Sequence, residues 1–565
     1  MKRCPECRRN YYDDTLLYCL DDGNALLEGP ATLGADEPAT AILHMTDAVG
    51  EAPTRAQIHT TEKTAVLPSG IADPPKRAFD KRLILAPLML SVIVLGGFFG
   101  YRYFAPTKQI ESIAVMPFVN ESGNADVEYL SDGMTETLIG SLSKVPNLSV
   151  KPRSTVFRYK GKETDAKTIG KELNVQAILT GRVVQRGDQV TLSLELIDVE
   201  KDIVLWSQQY NRKQADLVTL QTDIARDVSS KLKSKLTGAD VAKVEKNAAA
   251  NPEAYQLYLK GLFQLNRRTG ASLKQAEELF KQAIAKDPNY APAYVGLGQT
   301  LASFPYWSLA RPKDCMPQAK AAADRALELD DSLAGARNLV GEYLQNFERD
   351  WAGAEKEYKR SVELEPNNPG AYDSLGFLLS FQKRYDEAIA MERRADELDP
   401  LSKRSGLALA LIAARRFDDA IEELRSVIVL DPNYAETYFY LGIAYLGKGS
   451  YQDAVATLNR YLELDEDPVT RGFHAFALAK TGNREQAAKE LERLKQESST
   501  RYVPGIAFAL VYIALGEKEE ALDWMAKDVD EPSSWASYYT VYPTFDDLRN
   551  EPRYKAMLKQ MNLPE

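Results

Sequence analysis

From Pro252 onward the sequence repeats itself at a period of about 34 residues, and this limits the fold of the 565-residue chain more than any other feature. The second half of each unit ends alike: AIAKDPNY at Ala283, SVELEPNNP at Ser361, RADELDP at Arg394 and VIVLDPNY at Val427. Small residues recur at fixed offsets before those ends. Gly376, Ala388 and Ala395 mark one unit; Gly442, Ala454 and the larger Leu458 mark another. Small side chains let two helices cross closely, and proline stops the second helix. One helical pair cannot bury its apolar face alone, so neighbours must stack into a superhelix. About eight helical pairs fit between Pro252 and Asp528. Two irregularities stand out: an insertion around Phe304 to Pro317 and a shortened first helix around Gly406 to Arg415.

This pattern resembles the tetratricopeptide repeat family. The resemblance implies that the first helix of each pair lines a concave groove, which binds a protein or peptide. At groove-type offsets stand Asn338, Glu342, Gln345 and Asn346, then Asp373, Phe377 and Phe381, then Phe439 and Ile443. Amide side chains suit an extended peptide backbone, and phenylalanines suit its side chains. The basic cluster with which some relatives clamp an acidic carboxylate is not evident. Residues 529–565, with FDDLRNEPRYKAMLKQMNLP from Phe545, resemble the capping end of such arrays. A cap is expected, because the last repeat otherwise exposes its apolar face.

A second constraint lies far upstream. Leu83 to Phe104 reads LILAPLMLSVIVLGGFFGYRYF, with Arg102 its only charge. About 22 residues of helix span about 33 Å, enough for a hydrocarbon core of about 30 Å. Tyr101, Tyr103 and Phe104 suit an interfacial belt. Lys76, Arg77, Lys81 and Arg82 precede the run, and Arg102 and Lys108 close it. The excess of positive charge on the amino side predicts a cytoplasmic amino terminus and an extracytoplasmic carboxyl-terminal region. Gly96 and Gly100 make a small-xxx-small pair, a candidate homodimer contact.

The chain opens MKRCPECRRNYYDDTLLYCLDDG. Cys4 and Cys7 form a C-x2-C knuckle, Cys19 opens a second, and Asp22 stands where its last cysteine belongs. Three thiolates and a carboxylate suit Zn2+, since reduced cytoplasmic cysteines ligate metal more often than they pair. Residues 1–27 resemble the miniature zinc ribbons at the amino termini of many bacterial membrane proteins, which implies a bacterial inner membrane. Residues 28–82 read as a disordered linker. Within it Thr40-Ala41-Ile42-Leu43 and Thr64-Ala65-Val66-Leu67 echo each other. Each places an aliphatic three after a threonine, a preference of forkhead-associated modules, so Thr40 and Thr64 are candidate phosphoacceptors.

Residues 110–237 read as an α+β domain. A strand is expected at Ser112 to Phe118, a helix at Tyr129 to Val145 and a strand at Leu148 to Val156. A short helix follows at Ala166 to Leu173. Three strands come next, at Ala177 to Val184, Val190 to Ile197 and Ile203 to Tyr210. A helix at Leu217 to Leu236 closes the domain. Asp132-Gly133 reads as a helix-start turn. SIAVMPFVNESGNADVEYLSDGMTETLIGSLSKV, ILTGRVVQRGDQVTLSLELID and LWSQQYNR resemble the TolB amino-terminal-like (FlgO-like) domain, which implies a non-catalytic module beside a repeat array.

No phosphate-binding loop, kinase signature, H-E-x-x-H or G-x-S-x-G occurs in the sequence. A net charge of −11 works against nucleic-acid binding. The expected fold is multidomain: zinc ribbon-like amino terminus, one transmembrane helix, α+β domain, and all-α repeat superhelix. The expected function is that of a membrane-anchored, non-enzymatic scaffold binding a protein or peptide in its groove. The alternatives are a receptor that signals to a cytoplasmic partner and an accessory subunit of an envelope enzyme complex.

Overall fold

The structure is a computed structural model. It describes residues 2–3, 10–11, 27–28, 110–145, 148–232, 251–400 and 405–564. Cys4, Cys7, Cys19, Asp22, Thr40, Thr64 and the run 83–104 with Gly96 and Gly100 lie outside the described residues. Among the described residues no helix is long and apolar enough to cross a membrane. The first unit, Met1–Phe98, contributes three two-residue strands: β1 (Lys2–Arg3) pairs antiparallel with β2 (Asn10–Tyr11) and β3 (Leu27–Glu28).

In the second unit, residues 110–232 form the α+β domain. Its sheet contains β4 (Ser112–Val115), β5 (Val119–Asn120), β6 (Ser149–Val150), β7 (Ala177–Arg186), β8 (Gln189–Asp198) and β9 (Ile203–Lys213), in the order β6-β4-β7-β8-β9 with β5 also on β7. Parallel pairing joins β4 to β6 and β7; antiparallel hairpins join β7, β8 and β9. On β8, Val190, Leu192, Leu194 and Leu196 are fully buried between half-buried neighbours, the period-two signature of a half-buried strand. Helices α1 (Glu128–Ser143) and α4 (Leu217–Lys231) bury their apolar faces in the same core. Two expectations need correction. The strand expected at Leu148 to Val156 ends at Val150, because Pro152 has no amide to donate and starts the short helix α2 (Arg153–Val156). Asp132-Gly133 does not start α1 but lies inside it, where Asp132 is buried and Gly133 packs against Leu259. Helix α3 (Ala166–Glu172) precedes β7.

Eight helical pairs follow among the described residues. They are α5/α6 (Pro252–Arg267, Gly270–Lys286), α7/α8 (Ala291–Ser303, Pro312–Leu329), α9/α10 (Ala334–Tyr343, Trp351–Leu364) and α11/α12 (Pro369–Phe381, Tyr385–Leu398), then α13/α14 (Gly406–Ala413, Phe417–Leu430), α15/α16 (Ala435–Lys448, Tyr451–Leu464), α17/α18 (Pro468–Lys480, Arg484–Ser498) and α19/α20 (Gly505–Leu515, Lys518–Asp530). The small residues lie at the crossings. A Cβ added to Gly442 would stand 2.6 Å from Leu458 Cδ2, and one added to Gly341 would stand 2.6 Å from Tyr358 Cε1. Acids after the second helices fix the next turn: Asp287, Asp330 and Asp431 accept the amides of Asn289, Ser332 and Asn433 at 3.1, 3.2 and 2.9 Å. Between the helices of a pair the chain passes through the left-handed region. Gly449, Gly482 and Gly516 serve there in the last three pairs, but Arg268, Arg349, Lys383 and Arg415 do so in pairs one, three, four and five. A non-glycine side chain in that region costs about 1–3 kcal/mol unless its surroundings hold it.

After α20 the chain forms two 3-10 helices, Ser534–Thr540 and Pro543–Leu548, and then α21 (Pro552–Gln560).

Candidate functional site in the concave face

The first helices of the pairs present the expected side chains, but much of their concave surface is covered by the chain's own carboxyl-terminal segment. Phe381 and Phe439 are 2% and 7% exposed, Ile443, Gln345 and Asn346 are buried, and Asn338, Glu342, Asp373 and Phe377 are half-buried. Phe381 meets the ring of Tyr538 at 4.9 Å. Phe439 meets Trp535 at 6.5 Å and Tyr542 at 6.3 Å, besides Tyr440, Tyr461 and Phe473. Tyr539, Tyr542, Phe545 and Leu548 are buried in the core that runs from Trp351 to Leu563. A competing peptide would have to replace all of these burials at once.

Polar anchors hold the segment. Asp528, buried at the end of α20, accepts the amides of Gly505 and Ile506 and the hydroxyl of Tyr539, each at 2.7 Å. Burial pushes its carboxyl up to about 6 despite those three bonds. The left-handed arginines supply a second set. Arg349 donates to the carbonyl of Val529 and, at 3.4 Å, to that of Gln560. Beside it Trp351 Nε1 donates to the carbonyl of Met561 at 2.7 Å. Arg415 donates to the carbonyl of Val541 and to Asp546. These contacts account for arginine at two positions where conformation favours glycine. The insertion at Phe304 to Pro317 supplies a third set. Tyr306 reaches Trp535 at a ring distance of 6.3 Å and bonds Ser534, while Arg311 and Lys313 pair with Glu531 at 3.1 and 3.3 Å.

An open part of the concavity remains. Tyr306 and Trp307 are 44% and 38% exposed, and Trp535 and Tyr538 are half-buried. Glu342 takes a hydrogen bond from Tyr306, and burial raises its carboxyl to about 7. One turn earlier on α9, Asn338 Oδ1 is buried without a hydrogen-bond partner. Glu436 is open to solvent but stands deep in the concavity. Lost hydration raises its carboxyl; the hydrogen bond from Tyr434 and the charge of Arg268 oppose this, and Asp373 adds to it. Cys315, on α8, is buried with its thiol pushed up to about 12, so it is an inert apolar filler, as its isolation in sequence suggests.

The α+β domain clasps the other end of the array. Leu259 of α5 packs on Gly133, and Tyr255 donates to Gln221 at 2.8 Å. Glu128, Asp132 and Glu136 form one stripe along α1. Lys160 bridges the first two, and Arg153 and Asn266 reach Glu136 at 3.1 and 2.8 Å. Farther along, Ser154 donates to the buried Asp399 at 2.6 Å, and Thr155 donates to its other oxygen.

Sequence reasoning named groove positions on the first helices, did not single out Tyr306, Glu436, Trp535 or Tyr538, and did not foresee what packs against Phe381 and Phe439. Two signals were present: the aromatic density of SWASYYTVYPTF from Ser534, and basic residues at the left-handed turns.

Comparison with known proteins gives three family matches. Residues 108–227 match the model described as HilA/YgeH-like transcriptional regulator, second domain. Residues 357–390 and 406–468 match tetratricopeptide repeat models. The TolB-like resemblance drawn above covers the residues of the first match, which carries a different description. A protein of Rhizobium meliloti (strain 1021) named "Putative adenylate cyclase 3" is 32% identical over 223 residues, 39% of this chain and 38% of that protein. Superkiller protein 3 of Schizosaccharomyces pombe is 27% identical over 219 residues, 37% of this chain and 15% of that protein. The chain thus spans well under half the length of either relative. Transcriptional regulator HilA of Salmonella typhimurium is 21% identical over 431 residues, 74% of this chain and 68% of that protein. Among solved structures, yeast Tom70 aligns with 77% of this chain and 85% of its own at 15% identity and a TM-score of 0.37. YrrB, described as a TPR protein with an unusual peptide-binding site, aligns with 34% of this chain and 93% of its own at 22% identity and a TM-score of 0.24. The chain carries tetratricopeptide repeats behind an α+β domain, an organisation that suggests a protein-binding scaffold.

Proposed function

We propose that the chain is a membrane-anchored, non-enzymatic scaffold that binds a protein or peptide partner on the concave face of its repeat array. The observation that carries this reading is the open part of that face, where exposed aromatic rings stand beside carboxylates and an unpartnered amide oxygen. Aromatic side chains are the residues on which binding energy concentrates. The anchor is the apolar run 83–104, with Gly96 and Gly100 as the candidate homodimer contact. It places the amino terminus in the cytoplasm and the array outside. Cys4, Cys7, Cys19 and Asp22 are the donor set for Zn2+, and Thr40 and Thr64 the phosphoacceptors of a docking tether. Groove binding rests on Asn338, Glu342, Asp373 and Phe377, which keep exposed surface; Gln345, Asn346, Phe381 and Phe439 act behind it as packing.

A photo-crosslinking residue at Tyr306 or Asp373 of the full chain in native membranes is expected to capture a partner, and one at Glu485 on the exposed side of α18 is not. Equal capture from both positions would refute the groove reading. Reporter fusions after Gly70 and after Glu565 test the topology. A cytoplasmic signal from the carboxyl terminus would overturn the anchor orientation.

A receptor reading has one observation in its favour. The domain that resembles part of a transcriptional regulator is latched to the array through the Ser154–Asp399 and Asn266–Glu136 hydrogen bonds. Occupancy of the array would then be passed through those contacts toward the amino terminus.

A further inference from the structure

We propose that the open basin of the concave face, between Glu342 and Glu436 and floored by Tyr306, Trp535 and Tyr538, docks a cationic segment of the partner, with a lysine or arginine side chain seated against the rings and carboxylates. This rests on the scaffold reading and names the partner chemistry of the same surface.

Charge and shape both favour a cation here. The aromatic floor comes from two distant parts of the chain: Tyr306 from the insertion in the second pair, Trp535 and Tyr538 from the carboxyl-terminal segment. Aromatic faces carry negative charge density and attract ammonium and guanidinium groups. Glu342 and Glu436 stand on either side of this floor, from α9 and α15. Neither forms an ion pair among the described contacts; each takes a hydrogen bond from a tyrosine. Arg268 reaches the Glu436 side of the basin from the first pair. The unpartnered Asn338 Oδ1 lies buried one helical turn from Glu342 and adds a further acceptor dipole on that side. A lysine or arginine supplies donors together with a positive charge that favours the ionised form of both carboxyls, whereas an acidic peptide would be repelled by Glu436 and disfavour ionisation of Glu342 further.

The test uses the full chain in detergent and a fluorescent peptide of alternating lysine and leucine, with its glutamate counterpart as control. Binding is read by anisotropy at about 0.15 M salt, where charges beyond about 8 Å are screened. The lysine peptide is expected to bind and the glutamate peptide not. Glu342→Gln with Glu436→Gln should weaken the lysine peptide about tenfold or more. Glu485→Gln with Glu492→Gln, an equal charge change at exposed sites on α18, should leave it unchanged. Glu436→Gln alone, at an open position, serves if the double variant misfolds. Equal losses in the basin and control variants, or equal binding of both peptides, overturn the proposal. Partner capture by crosslinking at Tyr306 separates the two levels of inference. Capture that survives in the basin variant, with no lysine-peptide binding, removes the cationic specificity and leaves the scaffold; no capture in either form removes the scaffold reading.

Discussion

Phe439 decides between two pictures of the concave face. In an open groove it would be a ligand contact, and its truncation would cost binding but little stability. Here it is 7% exposed and lies within 5.1–6.5 Å, ring to ring, of Tyr440, Tyr461, Phe473, Trp535 and Tyr542. Phe439→Ala therefore leaves a cavity where three parts of the chain meet, a change worth about 3–5 kcal/mol. Phe439→Leu keeps most of the volume and should cost less than about 1.5 kcal/mol. Trp307→Ala, at a 38% exposed ring, should stay within about 0.5 kcal/mol. Native-state hydrogen exchange is the assay, because it reads local opening in a chain of several domains. Protection in α15, α17 and 534–548 should fall together by a hundredfold or more in Phe439→Ala, at about 1.4 kcal/mol per tenfold. Wild-type protection in all three stretches, combined with lost partner capture, would refute the seating of the carboxyl-terminal segment described above.

Arg415→Gly relieves a left-handed arginine (φ +62°) but removes its bonds to Val541 and Asp546. Residues 541–549 should exchange faster, and slower exchange would show that backbone strain outweighs the anchors. Asp399→Ala orphans the hydroxyls of Ser154 and Thr155, at about 1–3 kcal/mol for each group left dry. Limited proteolysis should then reach 148–160 sooner, and an unchanged pattern would deny the latch. Asp528 keeps its proton up to about 6 in the folded chain because burial outweighs its hydrogen bonds, whereas an unfolded aspartate releases it near 3.9. The folded state holds the extra proton between those values. The group's stabilisation is therefore full below about pH 4 and lost as pH rises through about 6, at a gross ~3 kcal/mol. Asp528→Asn should flatten that limb of the unfolding profile, and an unaltered slope would count against the assignment.

What the sequence revealed and what it hid divide by distance along the chain. A helical pair is set by side chains within about 34 residues, so the period, the crossings at Gly376 and Gly442, the irregular second pair and the short α13 are all visible locally. The hairpins of the α+β domain are local in the same sense. The misreading of Asp132-Gly133 came from treating a polar residue before glycine as a helix start, when Glu128, Asp132 and Glu136 recur at the i+4 spacing of a helix face. The filling of the groove is different. Phe381 and Phe439 are buried on their first helices against rings of the carboxyl-terminal segment. What meets them there lies about a hundred or more residues downstream, and no periodicity records such a pairing.

A stack of repeats held only by neighbour contacts can change curvature by small adjustments at every joint. Two long-range ties restrain this one. The carboxyl-terminal segment leaves the eighth pair and fastens to the turns of the third and fifth through Arg349, Trp351 and Arg415. The α+β domain covers the first helix and fastens to Asp399 at the end of the fourth pair. The first of these ties consumes concave surface that a flexible array would offer to an extended peptide. Both fix the distances across the surface that remains, and a site that need not be ordered on binding keeps more of its contact energy as affinity. Against an extended peptide, the lost area should dominate. Against a short cationic anchor seated between Tyr306 and Trp535, rigidity should dominate, because a few well-placed contacts carry most of the binding energy.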